Sequence, residues 1–379
     1  MNFTLTEEQT LIQQAAKEFA LENLEPFAAK RDQESHFPKE IIGKMAELDL
    51  LGMPYPTEYG GAGADYLSYI LVVEEFSKYD SGIAIALSAH ASLGSYPIYK
   101  WGSEALKQKY LVPLCKGEKF GAFCLTEPGA GTDAGAGKTT AVADGDTYVL
   151  NGTKCFITNG GVADVYVMFA LTNPAIGVKG ISAFVVEGGM PGLEIGKHED
   201  KLGIRSSQTT EVIMKNVRVP KENLIGKEGE GFKIAMQTLD GGRIGVAAQA
   251  LGIAEGALTE AVKFAKERVQ FGKPIAANQA IQWKIAEMKT QIEAARYLLY
   301  SAAVKKGEEK AISLEAAMAK MFCSEIALDV CDKAVQIHGG YGYIKDFKVE
   351  RLYRDAKICT IYEGTNEVQR MVVAGAVLR

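Results

Sequence analysis

The sequence predicts an α+β protein built in three parts: helical, then β, then helical again. Three observations support this reading. Apolar residues recur at helical spacing up to about Gly117, at strand spacing from about Phe120, and at helical spacing again after Gly231. No helical pattern separates the short β-prone runs, so the middle part is expected to be an antiparallel sheet or barrel rather than a βαβ array. With 379 residues the chain exceeds what one hydrophobic core usually supports. Domain boundaries are placed at 1–118, 119–228 and 229–379.

The first helix has a capping box, Thr6-Glu7-Glu8-Gln9, followed by Leu11, Ile12, Ala15, Ala16 and Phe19 on an expected common face. Ile41, Met45 and Leu48 mark another helix before Pro54, and Tyr69 to Phe76 and Ile83 to Leu93 mark two buried ones. Expected strands are Phe123-Cys124-Leu125, Tyr148-Val149-Leu150, Lys154 to Ile157, Val165 to Ala170, Ile181 to Val186 and Glu211 to Val219. Turns are expected at Asp144-Gly145-Asp146 and Asn151-Gly152. In the last part Ile281, Ile285, Met288, Ile292, Ala295 and Leu299 form one helical stripe, and Leu314, Ala317, Met321, Ile326, Val330, Ala334 and Ile337 another.

Composition excludes several function classes. A formal net charge of -5 without a basic block disfavours nucleic-acid binding. No run approaches the roughly 18 apolar residues that span a bilayer, and the start of the chain lacks a basic or apolar leader. A cytoplasmic protein is expected, or a mitochondrial-matrix one if the chain is a processed form. Six scattered cysteines and four scattered histidines have no metal-ligand spacing, so no metal is expected, and the thiols are expected to be free.

Two glycine-rich signals fail on inspection. Gly129-Ala130-Gly131-Thr132-Asp133-Ala134 has the spacing of a dinucleotide fingerprint, but β-prone Thr139-Thr140-Ala141-Val142 follows where a helix is required. Gly137-Lys138-Thr139 imitates the end of a P-loop, yet its first glycine position holds Thr132. The loop can still offer exposed amides to an anion or a polar ring edge.

Five segments, in order and register, resemble the acyl-CoA dehydrogenase family. They are Leu125 to Asp133 (LTEPGAGTD), Phe156 to Gly160 (FITNG), Arg268 to Pro274 (RVQFGKP) with Gln279, Gln336 to Gly342 (QIHGGYG), and Tyr353 to Ala356 leading to Ile361 to Glu367 (IYEGTNE). The resemblance is nearest to the butyryl-CoA or short-chain branch. It implies a C-terminal four-helix bundle, a homotetramer built as a dimer of dimers, bound FAD, and an electron-transferring flavoprotein as partner. Phe123, Cys124, Leu125, Thr126, Gly131, Thr132, Phe156, Ile157 and Thr158 would line the flavin. Arg268, Phe271, Gln279, Gln336, Gly339 and Gly340 would reach FAD from a neighbouring subunit, and Thr365 and Glu367 would bind the same dinucleotide.

The resemblance further implies α,β-dehydrogenation of an acyl-CoA, butyryl-CoA to crotonyl-CoA in either direction, with Glu363 taking the α-proton. Thr132, Asp240, Arg243 and Gly364 would contact the substrate. In branched-chain and long-chain members the base directly precedes an arginine matching Arg243, where this chain has Gly242. Other readings are an oxidase that passes electrons to oxygen and a flavin-binding subunit without catalysis. The absence of an extra C-terminal domain speaks against the first, and the intact Glu363-Gly364-Thr365 against the second.

Overall fold

A computed structural model describes residues 4–378 and has the expected order of helices, sheet and helices. Helix Glu7–Asn23 starts as the sequence implies. Thr6 Oγ1 accepts from the Gln9 amide at 3.1 Å, and Gln9 Oε1 accepts from the Thr6 amide at 3.0 Å. Its buried face differs from the expected one, because Leu11 and Ala15 are exposed while Gln9, Ala16, Phe19, Ala20 and Asn23 are buried. The helix packs against Tyr66–Ser77, and residues 11 and 15 point roughly 100° away from the neighbouring positions 12 and 16. Helix Glu40–Ala46 likewise stops short of Leu48, which is exposed.

Helices Tyr66–Ser77 and Ser81–Ser88 are almost wholly buried. Each is opened by an aspartate: Asp65 accepts from the Ser68 amide at 2.7 Å, and Asp80 from the Ile83 amide at 3.3 Å. The second widens into π-helical turns over Ala89–Ser95, a distortion often associated with functional sites.

The sheet runs Leu193–His198, Thr209–Pro220, Thr147–Thr158, Thr140–Asp144, Val165–Leu171, Ile181–Glu187, Leu224–Ile225, with Gly121–Cys124 added beside Val165–Leu171. Most pairs are antiparallel, but Gly121–Cys124 runs parallel to its neighbour and Thr140 pairs in parallel with Leu171. The barrel alternative falls, since the sheet does not close on itself. Beside Ile181–Glu187 lies the start of helix Gly231–Glu267, where Gly231 sits against the Ser182 backbone. Asn151-Gly152 also departs from expectation. It is no turn but part of the strand Thr147–Thr158, where the register slips between Leu150 and Gly152. A Cβ on Gly152 would stand 2.4 Å from Thr139 Oγ1, so this glycine serves a bulge. The Gly145 turn is present, with φ +57.

The C-terminal bundle consists of Gly231–Glu267, Gln279–Gly307 and Ser313–His338, completed by Lys348–Ile358, while Asn366–Val377 packs on Ser313–His338. Met288, Ile292, Ala295 and Leu299 are buried, as are Ala317, Ile326, Val330, Ala334 and Ile337. None of the described helices is long and apolar enough to cross a membrane.

The three parts close around the segment Ser81–Ser95. On one side the β domain docks to it: the Gly121 amide donates to His90 Nδ1 at 3.0 Å, and Asn159 Nδ2 donates to the Ala86 carbonyl at 2.9 Å. On the other side lies the helix Gly231–Glu267, which has glycine at points where the N-terminal domain presses against it. A Cβ on Gly245 would stand 2.2 Å from Ser88 Oγ, and one on Gly252 would stand 2.1 Å from the Glu74 carbonyl oxygen. Gly252→Ala is therefore expected to force the two domains apart, at a cost of about 1–3 kcal/mol. Its unfolding midpoint in urea, measured beside wild type, checks this; an unchanged midpoint contradicts the packing described.

Candidate active site

Glu363 lies in the short connection between Lys348–Ile358 and Asn366–Val377. Its backbone is left-handed at φ +52, and Gly364 follows at φ +89. Two consecutive positive values make a tight reversal, which costs a non-glycine residue of order 1–3 kcal/mol unless its surroundings enforce it. They do so here. The Glu363 carbonyl accepts from Gln369 Nε2 at 3.2 Å and Arg243 Nε at 3.4 Å. The Gly364 carbonyl accepts from Gln369 Nε2 and from Lys320 Nζ, both at 2.9 Å. Thr365 then caps the last helix, accepting from the Val368 amide at 3.4 Å.

The reversal points the carboxylate at the central helix. A Cβ on Gly242 would stand only 2.0 Å from Glu363 Oε2, so the carboxylate occupies space that a side chain there would fill. Although the residue as a whole is partly exposed, Oε2 is buried and has no hydrogen-bond partner. Burial raises the Glu363 carboxyl to about 7, against the opposing pull of the Arg243 and Lys320 charges. The Glu363 amide also makes no hydrogen bond within the described residues. A proton acceptor and a free N–H donor thus belong to one residue.

A cavity of about 750 Å³ opens between the N-terminal domain and the bundle, lined by Tyr55, Tyr66, Tyr69, Ser92, Asp240 and Gly241 among others. It reaches the residue next to Gly242, and the Glu363 charge is felt at Tyr66 and Tyr69. Asp240 Oδ1 pairs with Arg243 Nη1 at 2.7 Å, and Asp240 Oδ2 accepts from Ser313 Oγ at 2.5 Å. Lys306, on the cavity wall, lies over the Tyr96 ring with Nζ 3.9 Å from its centre, and burial lowers its ammonium to about 8.

The sequence-predicted residues fall into three groups. Glu363, Gly364, Asp240 and Arg243 come together beside the cavity, with Thr365 and Glu367 at the N-terminus of the last helix and Glu367 exposed. The β-domain set forms a second group. The Cys155 amide donates to the Thr126 carbonyl at 3.0 Å, tying the loop after Gly121–Cys124 to the strand carrying Phe156, Ile157 and Thr158. Cys124 and Ile157 are buried, Phe123 and Leu125 half-buried, and Gly131 and Thr132 exposed. Phe156 has φ +56 and presents its ring outward at 65% exposure. Arg268, Gly339 and Gly340 form the third group around a separate cavity of about 430 Å³, with the Arg268 guanidinium over the Tyr341 ring. Phe271 is fully exposed, and Gln279 and Gln336 are also exposed; none of these three lines that cavity.

Sequence reasoning missed the groups that hold these residues in place. Glu127 and Lys154 form a buried ion pair of 2.7 Å, and Lys154 also donates to the Leu125 carbonyl at 3.1 Å. Glu127 further accepts from the amides of Lys138 at 2.6 Å and Thr139 at 3.1 Å, so it braces both ends of the glycine-rich loop. Burial would raise the Glu127 carboxyl, but Lys154 and these amides outweigh it and hold the group below its usual range. Lys320 was visible in principle, as a lysine four residues after Ala316 and three before Cys323 on a buried face. Gln369 gave no signal, because a glutamine in a C-terminal helix is ordinary.

Known proteins match this architecture throughout. The N-terminal, middle and C-terminal domains of acyl-CoA dehydrogenases match residues 6–118, 122–217 and 229–378. The short-chain specific acyl-CoA dehydrogenase of Clostridium acetobutylicum is 55% identical over 379 residues, covering 100% of both chains. The structure of butyryl-CoA dehydrogenase from Megasphaera elsdenii is 54% identical with a TM-score of 0.99, again covering 100% of each chain. A structure from work on the electron-transferring flavoprotein of Acidaminococcus fermentans and flavin-based electron bifurcation has 58% identity and a TM-score of 0.99, with the same full coverage.

The Glu127–Lys154 pair is open to test without reference to activity. Lys154→Met leaves the buried Glu127 carboxylate without its counter-charge and should lower stability by about 3 kcal/mol, whereas combining it with Glu127→Gln should recover much of that loss. Denaturant titration of the single and double variants measures both; additive losses would show that the pair is not coupled.

Proposed function

The chain belongs to the acyl-CoA dehydrogenase family, and from that premise we propose that it oxidises short, straight-chain acyl-CoA thioesters at the α,β bond with Glu363 as the base. The observation that carries this is the Glu363 carboxylate itself: buried, unpartnered, held near neutral proton affinity and seated where Gly242 lacks a side chain. A thioester α-proton is far less acidic than an ordinary carboxylic acid, and burial narrows the gap from the side of the base. The free amide of Glu363 is suited to the thioester oxygen, where negative charge develops as the α-proton leaves. Gly364 lets the chain turn beside the substrate, and Asp240 and Arg243 would meet the pantetheine arm in the adjoining cavity. Thr132, on the exposed loop, would contact the same ligand from the β domain.

The family's cofactor suits the remaining residues. Phe156 presents its ring outward, the glycine-rich loop is braced by Glu127, and Gly129 and Gly131 face open space. These suit a flat ring system bounded by Thr126 and Thr158, with Phe123, Cys124, Leu125 and Ile157 shaping the wall behind. FAD, when bound, supplies the acceptor for the β-hydrogen as hydride. Arg268, Gly339 and Gly340 offer a planar cation beside close-approach backbone, which fits a pyrophosphate. They lie around a different cavity from the one beside Glu363. We infer that with Phe271, Gln279 and Gln336 they serve the dinucleotide of a neighbouring subunit in a homotetramer. Fully exposed Phe271 and largely exposed Tyr343 and Trp283 support burial of this face in an assembly. An electron-transferring flavoprotein is the proposed electron partner, and the same residues serve the reaction in either direction.

Anaerobic mixing of the flavin-loaded protein with butyryl-CoA tests the assignment. Wild type should bleach the flavin absorbance, and Glu363→Gln should slow this by at least about 1,000-fold; a variant that bleaches at the wild-type rate sinks the assignment. Slow recovery of colour on adding oxygen is expected of a dehydrogenase, and rapid recovery would mark an oxidase.

Stability gives a second, independent reading. An ordinary glutamate titrates near 4.5, whereas Glu363 is raised to about 7 in the folded chain. The folded state therefore keeps a proton that the unfolded state releases, so stability due to this group is full below about pH 4.5 and is lost as pH rises through 7. Glu363→Gln has no such proton and should become more stable than wild type across that window, by at most about 3 kcal/mol above pH 7. Unfolding midpoints measured from pH 5 to 8 should diverge; parallel curves would contradict the burial argument.

A further inference from the structure

Lys320 is an unusual lysine. It sits mid-helix in Ser313–His338 with 0% exposure and takes part in none of the ion pairs among the described residues. Lysine is almost never fully buried unless paired. Its ammonium instead donates to two groups just beyond the base: the Gly364 carbonyl and Asn366 Oδ1, both at 2.9 Å. Asn366 is itself fixed, since its Nδ2 donates to Ser324 Oγ at 3.0 Å and to Glu325 Oε1 at 3.3 Å. Gln369, also buried, donates to the Glu363 and Gly364 carbonyls.

We propose that Lys320 is the positioning residue for the catalytic base, clamping the Gly364 carbonyl so that Glu363 keeps its left-handed backbone and its carboxylate stays aimed at the Gly242 hollow. The proposal rests on Glu363 being the base. Geometry supports the clamp in two ways. The reversal at φ +52 and φ +89 is strained for a side-chain-bearing residue, and the carbonyls that define it are those Lys320 and Gln369 hold. A flip of the peptide between Gly364 and Thr365 would take its oxygen away from both donors. The charge acts in the same place: Lys320 pulls the Glu363 carboxyl downward against burial, and Glu363 in turn favours the Lys320 ammonium, which burial lowers to about 8. Arg243, whose Nη1 is engaged by Asp240, reaches the Glu363 carbonyl only at 3.4 Å. Without Lys320, burial would leave Glu363 protonated over more of the neutral range, and its carboxylate would no longer be aimed steadily at the Gly242 hollow.

Lys320→Met and Lys320→Arg decide the matter in the flavin-loaded enzyme, after Glu363→Gln has shown whether Glu363 is the base. Rapid mixing with saturating butyryl-CoA from pH 5.5 to 9 should show reduction by Lys320→Met about 100-fold slower at pH 7. Its limb should move to higher pH by about one unit, and butyryl-CoA affinity should change less than about threefold. Lys320→Arg keeps charge and donors and should hold the wild-type limb. A slow Lys320→Met enzyme whose limb stays in place would show a merely structural lysine and overturn the proposal, as would an unchanged rate. A readout apart from activity is the double-mutant cycle in unfolding. At pH 8 Lys320→Met should cost more stability in wild type than in the Glu363→Gln background, and equal costs count against it. Should Lys320→Met fail to fold, Lys320→Gln, which retains a donor without the charge, is read by the same pH profile and cycle.

Discussion

Glu363 Oε2 lies 2.0 Å from where a Cβ on Gly242 would stand, and that near-collision explains much of the arrangement around it. A carboxylate withdrawn from water without a partner is costly in its charged form, so it is kept only where surrounding structure leaves no alternative. The central helix supplies the space by omitting a side chain at residue 242. The Lys320 and Gln369 donors supply the constraint by fixing the two carbonyls beside the carboxylate. Nothing bonds Oε2 itself. The group is therefore held by its backbone and not by bonds to its own carboxylate.

The same device of omitted side chains recurs along the helix Gly231–Glu267. Gly245 admits Ser88, Gly252 admits the Glu74 carbonyl and Gly256 admits the Lys78 carbonyl. The N-terminal domain can thus lie directly on the bundle, and the segment Ser81–Ser95 can lie between bundle and sheet. A helix interior rich in glycine is intrinsically weak, by about 1 kcal/mol per glycine relative to alanine. Here the loss is offset by apolar burial along Ile244, Val246, Ala247, Leu251 and Ile253, all without exposure. Buried charge at this junction is matched as well: Arg296 binds both Glu74 and Glu255, and Lys78 binds Glu255.

How much of this was legible follows from what each signal depends on. The α, β, α order depends on periodicity, which is local, and it survived. The Asn151-Gly152 turn did not, because a glycine that relieves a cross-strand clash with Thr139 has the same local signature as one that closes a hairpin. Leu11 and Ala15 were misplaced for a related reason: an amphipathic face can be read to within a residue or two, but its contact line is set by the partner helix. Within the candidate site, motif order pointed to Glu363 and Gly364, which the structure brings together with Asp240 and Arg243. The Gly242 hollow was half-readable, since the missing rival carboxylate could be seen but not the space it left.

Supporting residues were the hardest to see, and the reason is physical. Glu127 and Lys154 lie 27 residues apart, and Lys320 acts 44 residues away on the Gly364 carbonyl. Each touches backbone as well as a side chain, and a backbone group leaves no trace in a side-chain sequence. What a sequence does carry is the anomaly at the other end of such a bond. A lysine on a buried stripe, or a glutamate opening a glycine-rich loop, violates local pattern and so requires a partner that satisfies it. Lys154 and Lys320 are two such violations within the described core, and both resolve into struts beneath backbone: the glycine-rich loop in one case, the Glu363-Gly364 reversal in the other. At these two positions a charge placed where an apolar residue would pack better holds a stretch of backbone in place.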